Sequence, residues 1–334
     1  MGRNAVPAQI DAVLDRLHEA GADARVTPGR ETTVIGAIGE REQLASIQLD
    51  DVPGVDQVLP IEKPYKLVAR ETSPDPTIIQ VRGRRVGGGH FALIAGPCTV
   101  ESREQTLETS RAVAAAGATM LRGGAFKPRT SPYSFQGLGL EGLQILNEAR
   151  EETGLPLATE LMDPRHVEEV MEYADVIQIG ARNMQNFNLL SEVGKVDKPV
   201  LLKRGPSSSV EELLMAAEYI MKEGNPRIML CERGIRTFER STRYTLDIGA
   251  IPVLKEETHL PVIVDPSHAA GRRALVPALA RAGIAAGADG IIVEAHPNPA
   301  EALCDGPQLI PTNEFAAFSE EIKSLVALMG DEMG

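Results

Sequence analysis

Residues 199–205 read Pro-Val-Leu-Leu-Lys-Arg-Gly and place two cations directly after a run of apolar residues. A short apolar run between turn residues is typical of a strand that is buried on both faces, as in a parallel sheet. Lys203 and Arg204 follow Val200-Leu201-Leu202, which is an unusual place for charges that are solvated. The segment therefore predicts a buried strand that delivers charged groups to one edge of a sheet.

Seven more runs of this kind occur from residue 91 onward, and stretches with helical periodicity, such as 102–117 and 210–223, separate them. The eight predicted strands are Phe91–Pro97, Thr119–Ala125, Leu155–Leu161, Val176–Ala181, Pro199–Gly205, Arg227–Arg233, Pro261–Ser267 and Gly290–His296. Buried strands that alternate with amphipathic helices over eight units predict an α/β fold, the closed (β/α)8 TIM barrel. An open doubly wound sheet is disfavoured because no GxGxxG motif opens the first unit.

Polar residues occupy the C-terminal end of every predicted barrel strand. In chain order they are Cys98, Arg122, Glu160, Arg182, Lys203 with Arg204, Glu232 with Arg233, Asp265 with His268, and Glu294 with His296. Strands that merely become polar as they enter solvent would explain one or two of these residues, but not a charge or soft ligand on all of them. Because TIM barrels build their active sites at this end, we predict the active site there.

The first 70 residues follow a different pattern. The predicted elements are a helix at 10–21, strands at 22–27 and 32–38, a helix at 40–49 and a strand at 55–61. This order is typical of a small ferredoxin-like α+β domain. Residues 1–9 contain little that could form the opening strand of such a domain, so we predict that this strand is missing.

The domain boundary is predicted in the stretch 63–75, which contains prolines and connects the two patterns. The ferredoxin-like domain is therefore expected at 1–70 and the barrel at 77–334. Residues 77–86 read as a β-hairpin that turns at Gly83 and is suited to closing the N-terminal end of the barrel.

The composition limits the classes of function. The 334 residues include 34 Lys and Arg against 47 Asp and Glu, a formal charge of −13, which disfavours a nucleic-acid binder. No apolar run is long enough to cross a bilayer, residues 1–9 are no signal peptide, and three cysteines are too few for a disulfide framework. We expect a cytoplasmic globular protein without nucleic-acid or membrane partners.

Two groups of cations are candidates for binding an anion. Lys127-Pro128-Arg129-Thr130-Ser131-Pro132 puts two cations and two hydroxyls on a loop stiffened by proline, although the pattern alone fits an exposed basic loop equally well. The predicted rim brings together Arg122, Lys127, Arg182, Lys203, Arg204 and Arg233. A multiply charged anion would offset the repulsion among these cations; the alternative is that carboxylates neutralise them one by one.

Cys98, His268, Glu294 and Asp305 form a candidate metal site. They follow the first, seventh and eighth strands, and the first and eighth strands adjoin in a closed barrel. A thiolate, an imidazole and two carboxylates suit Mn²⁺, Fe²⁺, Co²⁺ or Zn²⁺. A single buried cysteine is more often a small hydrophobic residue, so only the set as a whole favours a metal. Because Cys304 precedes the candidate ligand Asp305, we also predict that the metal-free protein can form a Cys98–Cys304 disulfide. The alternative is that their Cα atoms lie more than about 7 Å apart or that their Cβ vectors diverge, so that no bond can form.

The chain resembles the 3-deoxy-D-arabino-heptulosonate 7-phosphate (DAHP) synthases, in the subtype with an N-terminal ferredoxin-like regulatory domain. The residues that carry the resemblance are Gly96-Pro97-Cys98, Lys127–Thr130, Gly180-Ala181-Arg182, Leu202–Gly205, Asp265–His268 and Glu294-Ala295-His296. The sister family, the 3-deoxy-D-manno-octulosonate 8-phosphate synthases, is similar at Gly-Pro-Cys and Asp-Pro-Ser-His. It usually has an Asn-Arg-Ser-Ser type of string where this chain has Lys-Pro-Arg-Thr, which favours the four-carbon aldose phosphate as substrate.

The resemblance implies a metal-dependent transferase that condenses phosphoenolpyruvate with erythrose 4-phosphate, the first step of the shikimate pathway. It implies substrate-binding roles for Arg122, Lys127, Arg129, Thr130, Arg182, Lys203, Arg233 and Asp265, of which Arg129 and Thr130 take the phosphate of erythrose 4-phosphate. It also implies that Cys98, His268, Glu294 and Asp305 bind the divalent metal. The catalytic set is then Lys127, Glu160, Lys203 and His268, with Glu160 a candidate for activating water and Lys203 a candidate proton donor.

Partners follow from the same resemblance: tyrosine or phenylalanine as inhibitor, and a homotetramer. Two alternatives stay open at this point. The first is the sister synthase, which uses arabinose 5-phosphate. The second is a non-catalytic sensor of sugar phosphates, which would have no need of four metal ligands.

Overall fold

The computed structural model describes residues 1–29, 32–39, 41–59, 63–73, 75–127, 131 and 133–334. The chain divides into two compact units. The first consists of Met1–Thr77 with Glu256–His259, and the second of Ile78–Lys255 with Leu260–Gly334.

The described residues of the first unit form two α-helices, a two-stranded antiparallel sheet and a single turn of 3-10 helix at Arg70–Thr72. The elements are α1 (Pro7–Glu19), β1 (Asp23–Pro28), β2 (Thr33–Ile38) and α2 (Arg41–Ala45). Val13 and Leu17 lie one helical turn apart on α1 and pack with Ala22 and Val52 into a small core. The predicted helices and the first two strands are confirmed, and residues 1–6 form no strand.

The predicted strand at 55–61 is wrong over the described residues 55–59, which have no regular structure; residues 60 and 61 lie outside the described residues. The backbone N–H of Val55 donates to the carbonyl oxygen of Val52 at 3.0 Å, across Pro53-Gly54. Proline and glycine favour such a turn, and the turn uses the donor that a sheet would need.

The second unit begins with an antiparallel hairpin of β3 (Ile79–Val81) and β4 (Arg84–Val86). Its two turn residues, Arg82 and Gly83, have φ angles of 45° and 83°. Positive φ at both central residues gives the turn a twist that matches the flanking strands. The predicted hairpin and its turn at Gly83 are confirmed.

Eight parallel strands then close into a barrel. They are β5 (His90–Gly96), β6 (Met120–Arg122), β7 (Leu157–Leu161), β8 (Val176–Ile179), β9 (Val200–Lys203), β10 (Ile228–Glu232), β11 (Val262–Val264) and β12 (Gly290–His296). Each pairs with the next, and β12 pairs with β5 from Gly290↔Ala92 to Glu294↔Gly96, which closes the sheet. All eight predicted strands and the TIM barrel are confirmed.

Helices cover the outside of the barrel, and two short strands extend it. The helices are α3 (Arg103–Ala115), α4 (Leu140–Thr153), α5 (Val167–Tyr173), α6 (Phe187–Gly194), α7 (Val210–Lys222), α8 (Ala250–Glu257), α9 (Pro266–Ala270), α10 (Val276–Ala285) and α11 (Thr312–Met329). The short strands are β13 (Ile310–Pro311), which pairs with β12, and β14 (Glu332–Met333), which pairs with β5. No helix among the described residues is both long and apolar enough to span a membrane.

The hairpin closes the N-terminal end of the barrel, as predicted. Its apolar residues form one core cluster with residues near the starts of the barrel strands. The cluster consists of Ile79, Val81, Val86, Ala92, Ile94, Met120, Ala158, Val176, Leu201, Met229, Cys231, Ile263 and Ile292. Because this end is filled with apolar side chains, the opposite end is left for polar chemistry.

We expect Ile79→Ala to lower the free energy of unfolding of the barrel by about 2–5 kcal/mol, because it leaves a cavity in a fully buried cluster. Ile78→Ala is the matched control, since Ile78 precedes it in the chain but is 38% exposed. Denaturant unfolding monitored by circular dichroism measures both variants. Equal losses of unfolding free energy in the two variants would contradict the conclusion that the hairpin closes the N-terminal end of the barrel.

Candidate active site

A cavity of about 300 Å³ opens at the C-terminal ends of the barrel strands. Its lining residues are Arg122, Lys127, Ser131, Ser134, Glu160, Gln178, Gly180, Ala181, Arg182, Lys203, Arg233, Arg243, Tyr244, His268, Cys304 and Asp305. The cavity thus brings together predicted site residues from seven parts of the chain that are far apart in sequence. Arg129 and Thr130 lie outside the described residues.

The expectation that Arg204 joins the cations of this cavity is wrong. Arg204 donates to Glu232 at 2.8 Å and to Asp247 at 2.9 Å, and it does not line the cavity. Lys203, its neighbour in the chain, does line the cavity. Successive side chains of a strand point to opposite faces, so only one of the two can face the barrel mouth.

Sequence reasoning missed Arg243 and Tyr244, which line the cavity from the segment between β10 and α8. The guanidinium of Arg233 lies 4.3 Å from the centre of the Tyr244 ring, a cation–π contact that holds Arg233 at the cavity wall. Burial would raise the pKa of Tyr244, but the charges of Arg233 and Arg243 lower it. The only sequence signal was the position of this segment after a barrel strand, because an irregular loop has no periodicity.

Carboxylates form ion pairs with some of the cations that line the cavity, but not with others. Arg122 donates to Glu294 at 2.5 Å, Lys203 to Asp265 at 2.6 Å and Arg243 to Asp305 at 3.0 Å. The remaining three cations of the lining are Lys127, Arg182 and Arg233, and no carboxylate among the described residues lies within ion-pair distance of them. The cavity therefore presents an excess of positive charge, as the anion hypothesis requires.

The Nε atom of Arg122 is buried and has no hydrogen-bond partner among the described residues. Leaving a buried donor unsatisfied costs about 1–3 kcal/mol, so such groups in folded proteins usually face a bound water or ligand. Arg122 itself is only 3% exposed, and its other contact is with Glu294. The Nε–H group of Arg122 is thus available to donate a hydrogen bond to a bound anion.

The four predicted metal ligands converge next to the cavity, and two of them, His268 and Asp305, line it. His268 Nε2 lies 3.5 Å from Glu294 Oε1 and 3.8 Å from Asp305 Oδ2, and Cys98 Sγ lies 3.5 Å from the same Asp305 oxygen. His268, Glu294 and Asp305 form one compact group of donor atoms, and Cys98, Cys304 and Asp305 form another, each within 4.8 Å. Sulfur, nitrogen and carboxylate oxygen at this spacing fit a divalent transition metal or zinc.

Asp265 orients His268 for such a role. Its Oδ2 lies 2.7 Å from His268 Nδ1, and its Oδ1 accepts from the His268 backbone N–H at 3.0 Å. A carboxylate on one ring nitrogen directs the other to a metal, a common arrangement in metal sites. Burial lowers the pKa of His268, which favours the neutral imidazole that binds metals. Burial would raise the pKa of Glu294, but His268, Arg122 and Lys127 lower it and keep the carboxylate ionised.

Glu160 lines the cavity from the end of β7, where it is 8% exposed and accepts a hydrogen bond from Gln178 at 3.3 Å. Gly180 permits this position, because a Cβ atom at residue 180 would come within 2.1 Å of Glu160 Oε1. The structure thus places a carboxylate, an ammonium group from Lys203 and the metal-ligand set around one cavity.

Comparisons with known proteins agree with this architecture. A relative from Thermotoga maritima, named phospho-2-dehydro-3-deoxyheptonate aldolase, is 51% identical over 305 residues, which cover 91% of this chain and 90% of that protein. A crystal structure of DAHP synthase from Thermotoga maritima matches 100% of this chain and 98% of its own, with 47% identity and a TM-score of 0.80. A 2-dehydro-3-deoxyphosphooctonate aldolase from Syntrophobacter fumaroxidans is 33% identical over 273 residues, covering 76% of this chain and 94% of that protein.

Residues 1–63 match the DAHP synthase ferredoxin-like domain, which confirms the predicted class of the N-terminal domain. Residues 71–329 match the DAHP synthetase I family, and they include the barrel and every described residue of the cavity. The chain therefore belongs to the DAHP synthetase I family.

Proposed function

We propose that this chain is a DAHP synthase, which condenses phosphoenolpyruvate with erythrose 4-phosphate to give DAHP and inorganic phosphate. The observation that carries the proposal is the unsatisfied Nε of Arg122 in a cavity with excess positive charge. A small substrate with a phosphate and a carboxylate supplies the acceptors that this cavity lacks. Family membership and the Thermotoga maritima relative support the same activity.

The cations are proposed to hold the two anionic groups of phosphoenolpyruvate. The residues assigned to this role are Arg122, Lys127, Arg182, Lys203 and Arg233, with Asp265 positioning Lys203 through their 2.6 Å contact. Fixed cations in a partly closed site also stabilise the charge that develops during condensation. Arg129 and Thr130 keep their proposed role at the phosphate of erythrose 4-phosphate, which rests on the resemblance of Lys127–Thr130 to the family's motif.

A divalent metal ion is proposed at Cys98, His268, Glu294 and Asp305, with Mn²⁺, Fe²⁺, Co²⁺ and Zn²⁺ as candidates. When bound, such an ion supplies a Lewis acid for the aldehyde oxygen of the second substrate. The four residues lie in or after three barrel strands, β5, β11 and β12, so their convergence depends on barrel closure rather than on a local loop. Asp265 fixes the ring of His268 and thereby the direction of its Nε2 atom.

Proton transfer is assigned to Glu160 and Lys203. Condensation requires water to add at C2 of the phosphoenolpyruvate unit, after which phosphate leaves with cleavage of its C–O bond. Glu160 is proposed to take a proton from that water, and Lys203, which lines the same cavity, to return one to the leaving group. Asp265 Oδ2, 2.6 Å from the Lys203 Nζ atom, holds that side chain in place for this step.

Residues 1–70 are proposed as a regulatory domain that responds to tyrosine or phenylalanine, and residues 77–334 as the catalytic domain of a homotetramer. Every described residue that lines the cavity comes from the chain after residue 70. The match of residues 1–63 to the family's ferredoxin-like domain supports the division.

A phosphate-release assay with both aldose phosphates tests the activity. We expect turnover with phosphoenolpyruvate and erythrose 4-phosphate, much slower turnover with arabinose 5-phosphate, and loss of turnover after chelation. The far-ultraviolet circular dichroism spectrum should be unchanged by the chelator, because a large apolar core does not need a metal to fold. Preference for arabinose 5-phosphate would favour the sister synthase, and binding of substrate without any turnover would favour a sensor.

Lys127→Ala should lower kcat/KM by about 100-fold or more, since it removes a buried cation from the anion site. Its melting temperature should change by only a few degrees, because the loss of one cation relieves repulsion in the empty cavity. Lys195→Ala is the matched control, because Lys195 is exposed and forms a surface ion pair with Glu192 three residues earlier. This variant should leave both quantities near those of the wild type. Near-normal kinetics with a large loss of stability would make Lys127 a structural residue.

Deletion of residues 1–70 should leave phosphate release intact and remove any inhibition by tyrosine or phenylalanine. A truncated form of the Thermotoga maritima DAHP synthase has been solved and matches 80% of this chain with 49% identity and a TM-score of 0.75, which supports a barrel that folds by itself. The measurement is the inhibition curve of the intact and shortened chains at matched substrate concentration. Loss of turnover in a shortened chain that is still folded would assign residues 1–70 to the catalytic body.

A further inference from the structure

Cys304 is a buried cavity residue to which the proposed reaction assigns no part. It is 4% exposed, and together with Cys98 and Leu309 it forms a small buried cluster. The Sγ atoms of Cys98 and Cys304 and a carboxylate oxygen of Asp305 all lie within 4.8 Å of one another. Cys98 also donates to Asp305 Oδ2 at 3.5 Å. Two thiols and a carboxylate therefore point at one spot beside the cavity.

The backbone at Asp305 makes this convergence possible. Asp305 has φ 54°, and besides it only Arg82 among the described non-glycine residues has positive φ. In an extended chain, the side chains of residues 304 and 305 would point to opposite sides. The left-handed conformation at Asp305 instead lets both reach Cys98. Such strained backbone persists where the surrounding structure enforces it, and it clusters at functional sites.

Asp305 belongs to two donor groups of different chemical character. With His268 and Glu294 it offers one nitrogen and carboxylate oxygens, and with Cys98 and Cys304 it offers two sulfurs. Thiolates select soft ions such as Zn²⁺ and Cd²⁺, while carboxylate and imidazole donors also suit Mn²⁺. Two sulfur atoms that are each about 2.3 Å from a zinc ion in tetrahedral geometry lie about 3.8 Å apart. The Sγ atoms of Cys98 and Cys304 already lie within 4.8 Å of each other, so they need to move little to bind one ion.

We propose that Cys304 is a metal ligand and that Cys98, Cys304 and Asp305 form a thiolate-rich coordination set that binds soft divalent ions. This set shares Cys98 and Asp305 with the four-residue metal site of the proposed function, so the two arrangements compete for one thiolate and one carboxylate. The identity of the ion then decides which donors are used. The inference rests on the metal site of the proposed function and deepens it by naming a ligand and a basis for metal selectivity.

Cadmium titration of the full-length, metal-free chain in a phosphine reductant tests the proposal without measuring activity. Sulfur-to-cadmium charge-transfer absorption in the ultraviolet reports how many thiolates bind each ion. The amplitude per bound Cd²⁺ should be about twofold lower in Cys304→Ser and in Cys98→Ser than in the wild type, because each variant loses one of two thiolates. Cys231→Ala is the matched control, since Cys231 lies in the barrel core cluster, and it should keep the wild-type amplitude.

Affinities measured on the same samples give a second test. Cys304→Ser should bind Cd²⁺ about tenfold or more weakly, while its affinity for Mn²⁺, measured by electron paramagnetic resonance of the free ion, should change by less than about threefold. Cys304→Ala should give the same result as Cys304→Ser, which excludes an effect of the serine hydroxyl. Its melting curve shows whether the variant is folded. Wild-type amplitude per ion in both Cys304 variants, or no charge-transfer band in the wild type, would overturn the proposal. Phosphate release by the wild type with Mn²⁺ tests the proposed reaction separately, so failure of one is distinguishable from failure of the other.

Discussion

The buried carboxylate of Asp265 contacts both an anion-binding cation and a metal ligand of the candidate active site. It accepts from the ammonium group of Lys203 at 2.6 Å and contacts Nδ1 of His268 at 2.7 Å, while being only 1% exposed. Burial would raise its pKa, but its contacts with His268 and Lys203 lower it well below the ordinary value. Removing either partner would leave a buried charge partly unpaired, which is costly. Asp265, which directly follows β11, therefore links the anion-binding cation Lys203 to the metal ligand His268.

Barrel closure is the constraint that assembles the rest of the site. The pairing of β12 with β5 brings Glu294 next to Gly96 in the register, and Cys98 follows two residues later. The same closure lets Glu294 accept from Arg122 at the end of β6 and from Gln308 at 2.6 Å. The apolar hairpin cluster at the other end stabilises the barrel independently of this charged rim. The residues that stabilise the barrel and those that form the candidate active site thus lie at opposite ends of the barrel axis, as is general for this fold.

Arg204 shows what a cation does when it faces away from the cavity. It binds Glu232, and the second oxygen of Glu232 accepts from the backbone N–H of Gly234 at 2.7 Å. This network fixes the backbone on both sides of Arg233, whose guanidinium then stacks on Tyr244. Burial raises the pKa of Glu232, and the contacts of its carboxylate with Arg204 and with the backbone N–H groups of Gly234 and Asp247 offset part of that rise.

The sequence by itself determined the eight barrel strands, the hairpin and the end of the barrel that carries the site. These follow from local patterns: apolar runs, a turn at Arg82-Gly83, and polar residues at strand ends. The candidate ligands Cys98, His268 and Glu294 could be grouped because closure of an eight-stranded barrel makes the first and last strands neighbours. Assignment of the individual substrate-binding and catalytic roles came from the resemblance to a family and stays a proposal.

Only the tertiary structure decided which side chains face the cavity. Lys203, the last residue of β9, lines the cavity, and Arg204, which follows it, does not. Because successive residues of an extended chain face opposite sides, an error of one residue in the predicted strand would exchange the two. The irregular segment that supplies Arg243 has no periodicity from which its path could be inferred, and the turn at Pro53-Gly54 replaced the strand that its apolar neighbours predicted. The approach of Cys304 to Cys98 depends on the left-handed backbone of Asp305, which long-range packing imposes and which no local pattern encodes.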